Sequence, residues 1–162
     1  MLTRIDHIGI ACFDLDATAE FYCRTYGFTV ASIESSQEMG VREAMLRVGG
    51  TDDGGASWIQ LLEPLGEGGP VAGWLARNGE GVHHIAFGTA DVEAATAAAG
   101  EHGVRSVYPE PRPGSRGSRI NFLHPKDCHG VLTELVTATG AGGAATLRAD
   151  PDQAADQRAV RA

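Results

Sequence analysis

The chain contains one pattern twice: residues 7–22 read HIGIACFDLDATAEFY, and residues 84–99 read HIAFGTADVEAATAAA. The initial histidines coincide, as do the aspartates seven positions after them, when the second stretch is moved back by 77 positions. Farther along, Gln60 lies opposite Glu134 at an offset of 74. An internal repeat of this length indicates two copies of one structural module, with small differences in loop length.

Each copy predicts the same order of elements, βαβββ. The apolar run around each histidine is short, as in a strand, and Asp14 or Asp91 then suits a helix N-cap. Apolar residues at helical spacing lead to Gly27 and Gly103, since glycine often follows the last helical turn. Three strands are expected to follow near Thr29–Ile33, Arg42–Val48 and Ser57–Leu62, and in the second copy near Arg105–Tyr108, Arg119–His124 and Val131–Val136.

The repeat also predicts how the chain is divided. We expect one α+β domain over residues 1–138, with the first module at about 3–66 and the second at about 81–138. A linker at about 67–80 contains a short helix that begins at a proline. Residues 139–162 are rich in glycine, alanine and charge without an apolar period, which predicts a flexible tail.

Composition limits the compartment and the partners. The 162 residues are 43% hydrophobic and 21% charged, which favours a globular chain over a disordered one. A net charge of −8 argues against nucleic acid as a partner. No apolar run is long enough for a membrane span, and no signal peptide is visible. Three cysteines, without a CxxC pair, fit the reducing cytoplasm better than a disulfide framework.

Four polar residues occupy equivalent places in the two modules. His7 and His84 begin the strands before each helix, and Gln60 and Glu134 interrupt apolar strands at the end of each module. If the modules pair about a twofold axis, these side chains converge, and two imidazoles with oxygen donors suit Co²⁺, Mn²⁺, Ni²⁺, Zn²⁺ or Fe²⁺. His83 cannot share the face of its neighbour in a regular strand, so parity with the first module selects His84. Taken singly, each residue is also compatible with a structural histidine or a solvent-facing polar side chain.

The chain resembles the vicinal oxygen chelate superfamily, and within it the methylmalonyl-CoA epimerase family. The stretches that carry the resemblance reach from about residue 3 to 137 and include DHIGIACFDLDATAEFY, GVREAML, QLLEPL, GEGVHHIAF, GSRINFLHPKDCHG and GVLTEL. The resemblance implies two tandem βαβββ modules that form a curved mixed sheet around a metal site.

The resemblance also implies the roles of individual residues. The metal ligands fall on His7, Gln60, His84 and Glu134, and the catalytic carboxylates fall on Glu43 and Glu134. The cofactor is a divalent metal ion, with Co²⁺ expected first and Mn²⁺, Ni²⁺, Zn²⁺ or Mg²⁺ as alternatives. The implied activity interconverts the (2R) and (2S) epimers of methylmalonyl-CoA through an enolate, and the implied assembly is a homodimer.

An acyl-CoA substrate carries phosphates, which require cationic contacts. Arg116, Ser118 and Arg119 lie in one glycine-containing segment, where the backbone can approach a ligand closely, and Arg112 precedes them. We expect this segment to contact the substrate, although a solvated loop has the same composition.

Four alternative functions remain open at this stage. Met39 stands where the resembled family commonly has glutamine, so a bulkier substrate such as ethylmalonyl-CoA is one alternative. A glyoxalase-type lyase acting on a glutathione hemithioacetal has the same ligand chemistry. An iron dioxygenase needs only two histidines and a carboxylate, so the additional Gln60 argues against it. A non-catalytic binding protein of the same fold needs neither the ligands nor Glu43.

Overall fold

The structure, a computed structural model, describes residues 2–49 and 57–137. These ranges contain eight strands, three α-helices and one turn of 3-10 helix at Ser115–Gly117. The strands are β1 (Leu2–Ala11), β2 (Thr29–Ser36), β3 (Val41–Val48), β4 (Ser57–Pro64), β5 (Gly81–Thr89), β6 (Arg112–Pro113), β7 (Arg119–Leu123) and β8 (Thr133–Thr137). The helices are α1 (Leu15–Tyr26), α2 (Pro70–Asn78) and α3 (Val92–Glu101).

The strands form one mixed sheet that curls into a half-barrel. Their order across the sheet is β2-β3-β4-β1-β5-β8-β7-β6. The β1–β4 and β5–β8 pairs are parallel, and the other pairs are antiparallel. Each half of the sheet belongs to one repeat, which confirms the predicted α+β fold of two tandem modules.

The two modules meet where β1 pairs with β5. Ile8 lies opposite Ile85, which is its own counterpart 77 positions later. A residue that pairs with its repeat equivalent marks an approximate twofold axis between the modules. The first histidine of each module therefore comes to the centre of the sheet.

The helices begin and end where the sequence predicts, because the capping groups are correctly placed. Asp14 accepts a hydrogen bond from the N–H of Ala17 at 2.9 Å, and Gly27 ends α1 in the left-handed conformation with φ +72°. α1 buries Leu15 against Leu61 of β4. α2 begins at its proline and ends before Gly79, and Asp91 caps α3 as Asp14 caps α1.

The predicted strand at 105–108 is wrong. Ser106 forms an isolated bridge with Leu123, and the edge strand is the two-residue β6 instead. The segment runs beside β7, but the N–H of Tyr108 bonds the side-chain Oδ1 of Asn121 and so leaves the ladder. The prolines at 109, 111 and 113 then have no N–H with which to resume it.

The sequence also predicts the limits of the domain, a C-terminal tail and the lack of a membrane span. The predicted tail at 139–162 lies outside the described residues, and the domain limits at 1–138 stay a prediction. Within the described part, none of the helices has the length and apolar character needed to cross a membrane.

Candidate active site

Five adjacent strands each place one polar side chain in a continuous row across the sheet. In spatial order the row is Glu43 on β3, Gln60 on β4, His7 on β1, His84 on β5 and Glu134 on β8. Each of these residues is 3–8% exposed. Burial of so many polar groups is costly unless they bind one another or a ligand, so the row marks the functional centre of the sheet.

Three members of the row converge on one point. The Nε2 atoms of His7 and His84 are 3.3 Å apart, and they lie 3.1 Å and 2.9 Å from Oε2 of Glu134. Ligands about 2.1 Å from a shared cation stand roughly 3 Å apart. The three side chains therefore fit a divalent cation, and two imidazoles with one carboxylate suit the borderline metals.

The charges of this cluster depend on one another. Burial would raise the pKa of Glu134, but hydrogen bonds from His7 and His84 outweigh burial and lower that pKa to about 2. Burial alone would lower the pKa of His7, yet its hydrogen bonds to Asp6 and Glu134 raise it to about 9. In the absence of a cation, these contacts favour a charged Glu134 beside a protonated His7. A divalent cation would take the place of that proton.

The close approach of His84 requires glycine at position 9. Gly9 pairs with His84 across the sheet, and a Cβ built on Gly9 would lie 2.1 Å from Cε1 of the imidazole. The glycine of β1 therefore makes room for the His84 ring on β5.

Gly9→Ala should displace the His84 ring. We expect weaker Co²⁺ binding and a loss of folding free energy of about 1–3 kcal/mol, the usual cost of an overpacked core. Competition with a chelator and thermal denaturation measure the two effects. Gly66→Ala is the matched control, because its Cβ meets nothing within 4 Å. Unchanged Co²⁺ affinity in Gly9→Ala would contradict the proposed position of His84.

Glu43 lies beside the cluster of His7, His84 and Glu134, where two hydrogen-bond donors hold its carboxylate. Nε2 of Gln60 donates to Oε2 of Glu43 at 2.9 Å, which leaves the amide oxygen of Gln60 for another partner. Burial raises the pKa of Glu43, and a hydrogen bond from Ser115 opposes that increase. Arg42, its neighbour in sequence, lies on the other face of β3 and pairs with Asp16, as alternation predicts. Ser115 was not among the predicted site residues. It lies in the same glycine-containing segment as Arg116, but nothing in the sequence indicates that this segment reaches Glu43 on β3.

A pocket of about 570 Å³ opens beside the row. Glu43 and Glu134 both line it, together with an apolar wall that includes Met39, Val41, Leu62, Ile120 and Phe122. Met39 contacts the buried clusters of both modules, that of Leu62 and Val71 and that of Ile120 and Ala86. The pocket therefore combines two carboxylates with an apolar surface, as a small branched organic substrate requires.

The predicted substrate-binding segment is only partly directed at the pocket. Arg116 lines it, with φ +52° and with its guanidinium 5.6 Å from the ring centroid of Trp58. Arg119 instead forms an ion pair with Glu93 at 2.9 Å on the outer surface. Ser118 is half-buried, and its backbone carbonyl accepts a hydrogen bond from Gly114.

Comparison with known proteins agrees with this geometry. The family model described as Glyoxalase/Bleomycin resistance protein/Dioxygenase superfamily matches residues 6–122. An ethylmalonyl-CoA/methylmalonyl-CoA epimerase of Cereibacter sphaeroides is 39% identical over 137 residues, which are 83% of this chain and 98% of the relative.

Solved structures of high similarity belong to the same group. A variant of Streptomyces coelicolor methylmalonyl-CoA epimerase in complex with 2-nitronate-propionyl-CoA is 67% identical, with a TM-score of 0.81, over 86% of this chain and 100% of the other. A methylmalonyl-CoA epimerase in complex with methylmalonyl-CoA and NH4+ is 66% identical, with a TM-score of 0.82, over 89% and 100%. The chain therefore belongs to the Glyoxalase/Bleomycin resistance protein/Dioxygenase superfamily and, within it, to the methylmalonyl-CoA epimerases.

Proposed function

We propose that this chain interconverts the (2R) and (2S) epimers of methylmalonyl-CoA by removing the C2 proton and returning one to the opposite face. The observation that carries the proposal is the position of Glu43 and Glu134 at the two ends of the row, with Gln60, His7 and His84 between them. Epimerisation needs one base on each face of C2, and each proton transfer is typically worth about 10²–10⁴-fold in rate.

We infer that His7, His84 and Glu134 hold the divalent ion, with the amide oxygen of Gln60 as a fourth ligand. Co²⁺ is the ion that we expect first, followed by Mn²⁺, Ni²⁺, Zn²⁺ and Mg²⁺. When bound, the ion supplies a positive charge that stabilises the enolate formed from the thioester. The two imidazole nitrogens of the donor set support a borderline metal over Ca²⁺.

The protein's own groups move the proton. Glu43 accepts the C2 proton of one epimer while the amide of Gln60 and the hydroxyl of Ser115 keep its carboxylate in place. Oε2 of Glu134 contacts both histidines, so we assign proton transfer on the other face to its second oxygen, Oε1. The roles of the two carboxylates exchange for the reverse reaction.

The pocket also has groups that suit the alkyl chain and the CoA phosphates of the substrate. The apolar wall with Met39 and Phe122 supports an alkyl group at C2, and Arg116 at the pocket supports a CoA phosphate. Ser118 and Arg119 are proposed as further contacts of the CoA, farther from the pocket. Ethylmalonyl-CoA is the second candidate substrate, because Met39 is flexible and the Cereibacter sphaeroides relative is named for both substrates.

Exchange of the C2 hydrogen in D₂O tests the proposed reaction. We expect Co²⁺-loaded protein to introduce deuterium into methylmalonyl-CoA, as followed by mass spectrometry, and a chelator to stop the exchange. Parallel samples contain ethylmalonyl-CoA or a glutathione hemithioacetal. Turnover of the hemithioacetal alone would favour a glyoxalase-type lyase, and binding of methylmalonyl-CoA without exchange would favour a non-catalytic binding protein.

The pH dependence of exchange should report the ionisation of Glu43. Only its deprotonated form accepts a proton, and burial raises its pKa above that of an ordinary glutamate. The rate should therefore fall as the pH decreases through this raised pKa. In Ser115→Ala, loss of a hydrogen bond that lowers the pKa should move the acidic limb to higher pH. Ser57→Ala serves as the control, because Ser57 is exposed at the start of β4 and does not line the pocket. A shift in the opposite direction for Ser115→Ala would contradict the assignment.

We further propose a homodimer in the cytoplasm. Ile5 and Val82 are repeat equivalents, and each is 58% exposed on the central strands, which supports an apolar contact with a second copy. Sedimentation equilibrium should give the mass of two chains, and Ile5→Glu should reduce that mass. A monomer at every concentration would contradict the dimer.

The free thiols of all three cysteines support the cytoplasm as the compartment.

A further inference from the structure

The central strands contain two β-bulges at repeat-equivalent positions. On β1, Ile5 pairs with Phe87 and His7 with Ala86, so Asp6 is the extra residue. On β5, Gly9 pairs with His84 and Ile10 with Val82, so the extra residue there is His83. Asp6 and His83 are 77 positions apart, and each immediately precedes a proposed ligand histidine.

Each bulge brings two consecutive side chains into contact. In a regular strand neighbouring side chains point to opposite faces, but a bulge re-aims one of them. Oδ1 of Asp6 consequently lies 3.1 Å from Nδ1 of His7. Nδ1 of His83 lies 3.0 Å from Nδ1 of His84.

These contacts bear on which nitrogen of each proposed ligand ring carries the proton. Nε2 of both His7 and His84 faces the carboxylate of Glu134, so Nε2 is the nitrogen available to a cation. Nδ1 is then the protonated nitrogen, and it donates to the neighbour. The acceptor is the Asp6 carboxylate for His7 and, when His83 carries its own proton on Nε2, Nδ1 of His83 for His84.

Both acceptors are themselves held in place. Arg4 binds Oδ2 of Asp6 at 2.7 Å, which leaves Oδ1 for the histidine. The ring of His83 packs edge-on against Trp74, with 5.4 Å between the ring centroids. A fixed acceptor restricts the rotation of the donor ring as well as its tautomer.

We propose that Asp6 and His83 are paired positioning residues, which the two bulges place so that both ligand histidines present Nε2 to the metal. The inference rests on the proposed metal centre and deepens it. A hydrogen-bond partner on the outer nitrogen of a ligand histidine typically changes metal affinity by 10–100-fold. Because hydrogen bonds to a charged acceptor are stronger, Asp6 should contribute more than the neutral His83.

Co²⁺ affinity of the full-length chain, measured by competition with a chelator, tests the positioning role. We expect Asp6→Ala to bind Co²⁺ about 10–100-fold more weakly than wild type. Asp6→Asn should lose less Co²⁺ affinity than Asp6→Ala. His83→Phe keeps a ring but has no hydrogen-bond acceptor, and it should also lose less affinity than Asp6→Ala. Thr3→Ala is the matched control. Thr3 is the extra residue of a third bulge on β1, and it bonds the carbonyl of Gly88 rather than a ligand histidine.

Nitrogen-15 spectra of the Zn²⁺-loaded chain separate positioning from a merely structural effect. Wild-type protein should show Nδ1–H protons on both His7 and His84. Asp6→Asn should shift the Nδ1–H signal of His7 alone, and His83→Phe that of His84 alone. The spectra of Asp6→Asn and His83→Phe also test the positioning role if Asp6→Ala does not fold.

Two results would overturn the inference, and they differ in what they mean for the metal centre. Wild-type affinity and unchanged Nδ1–H signals in the Asp6 and His83 variants would reject the positioning role and leave the metal centre intact. A folded wild-type chain that binds neither Co²⁺ nor Zn²⁺ would reject the metal centre together with the inference.

Discussion

Glu43→Gln is expected to slow C2 exchange by about 10²–10⁴-fold, the usual contribution of one general base, without a change in Co²⁺ affinity. Glutamine keeps the size of the side chain and can still bond Gln60 and Ser115, but it accepts no proton from carbon. The proposed metal ligands lie on other strands, so their geometry should persist. Deuterium incorporation by the Co²⁺-loaded variant and chelator competition measure the two quantities.

Glu20→Gln is the control for this substitution, because Glu20 is an exposed carboxylate on α1 that pairs with Arg24. It should leave both exchange and Co²⁺ affinity at the wild-type value. Exchange by Glu43→Gln within tenfold of wild type would remove Glu43 from the mechanism. Parallel loss of exchange and of Co²⁺ binding would mean that Glu43 acts on the site as a whole and not as a base.

His84→Ala is expected to weaken Co²⁺ binding by more than about 100-fold, which is the upper range for a partner outside the ligand set, and to abolish exchange. His84 is 3% exposed, and its Nε2 is 2.9 Å from Glu134. Its removal therefore takes away a ligand and one of the two imidazoles that hold Glu134. Chelator competition with Co²⁺ gives the affinity, and the D₂O assay gives the activity.

An exposed histidine serves as the control for the His84→Ala substitution. His102 follows α3 and lies at the surface, so His102→Ala should retain both the affinity and the activity. Retention of tight Co²⁺ binding by folded His84→Ala would place the metal elsewhere in the chain.

The sequence predicts the architecture because the repeat and the strand periodicity are local signals. Once His7 and His84 are taken as equivalent, pairing about a twofold axis brings them together, and the observed pairing of Ile8 with Ile85 has that symmetry. Alternation also assigns Glu43 and Arg42 to opposite faces of β3. Periodicity is sufficient here, since the central strands are paired on both sides and their registers are fixed by burial.

Features that depend on contacts between residues distant in sequence are not predicted by the sequence pattern. Parity excludes His83 from the face of His84, yet the bulge brings the two rings together because the extra residue breaks the alternation. The hydrogen bond of Ser115 to Glu43 and the pairing of Arg119 with Glu93 join separate elements and leave no periodic trace. The short β6 likewise reflects prolines that override the repeat.

Incubation of a single epimer of methylmalonyl-CoA in D₂O tests the central claim most directly. The Co²⁺-loaded chain removes the C2 proton on one face and returns a deuteron on the other, so we expect the opposite epimer to accumulate with deuterium at C2. Glu43 and Glu134, at the two ends of the row, would account for that result. A chain with verified bound metal that forms no opposite epimer would contradict it.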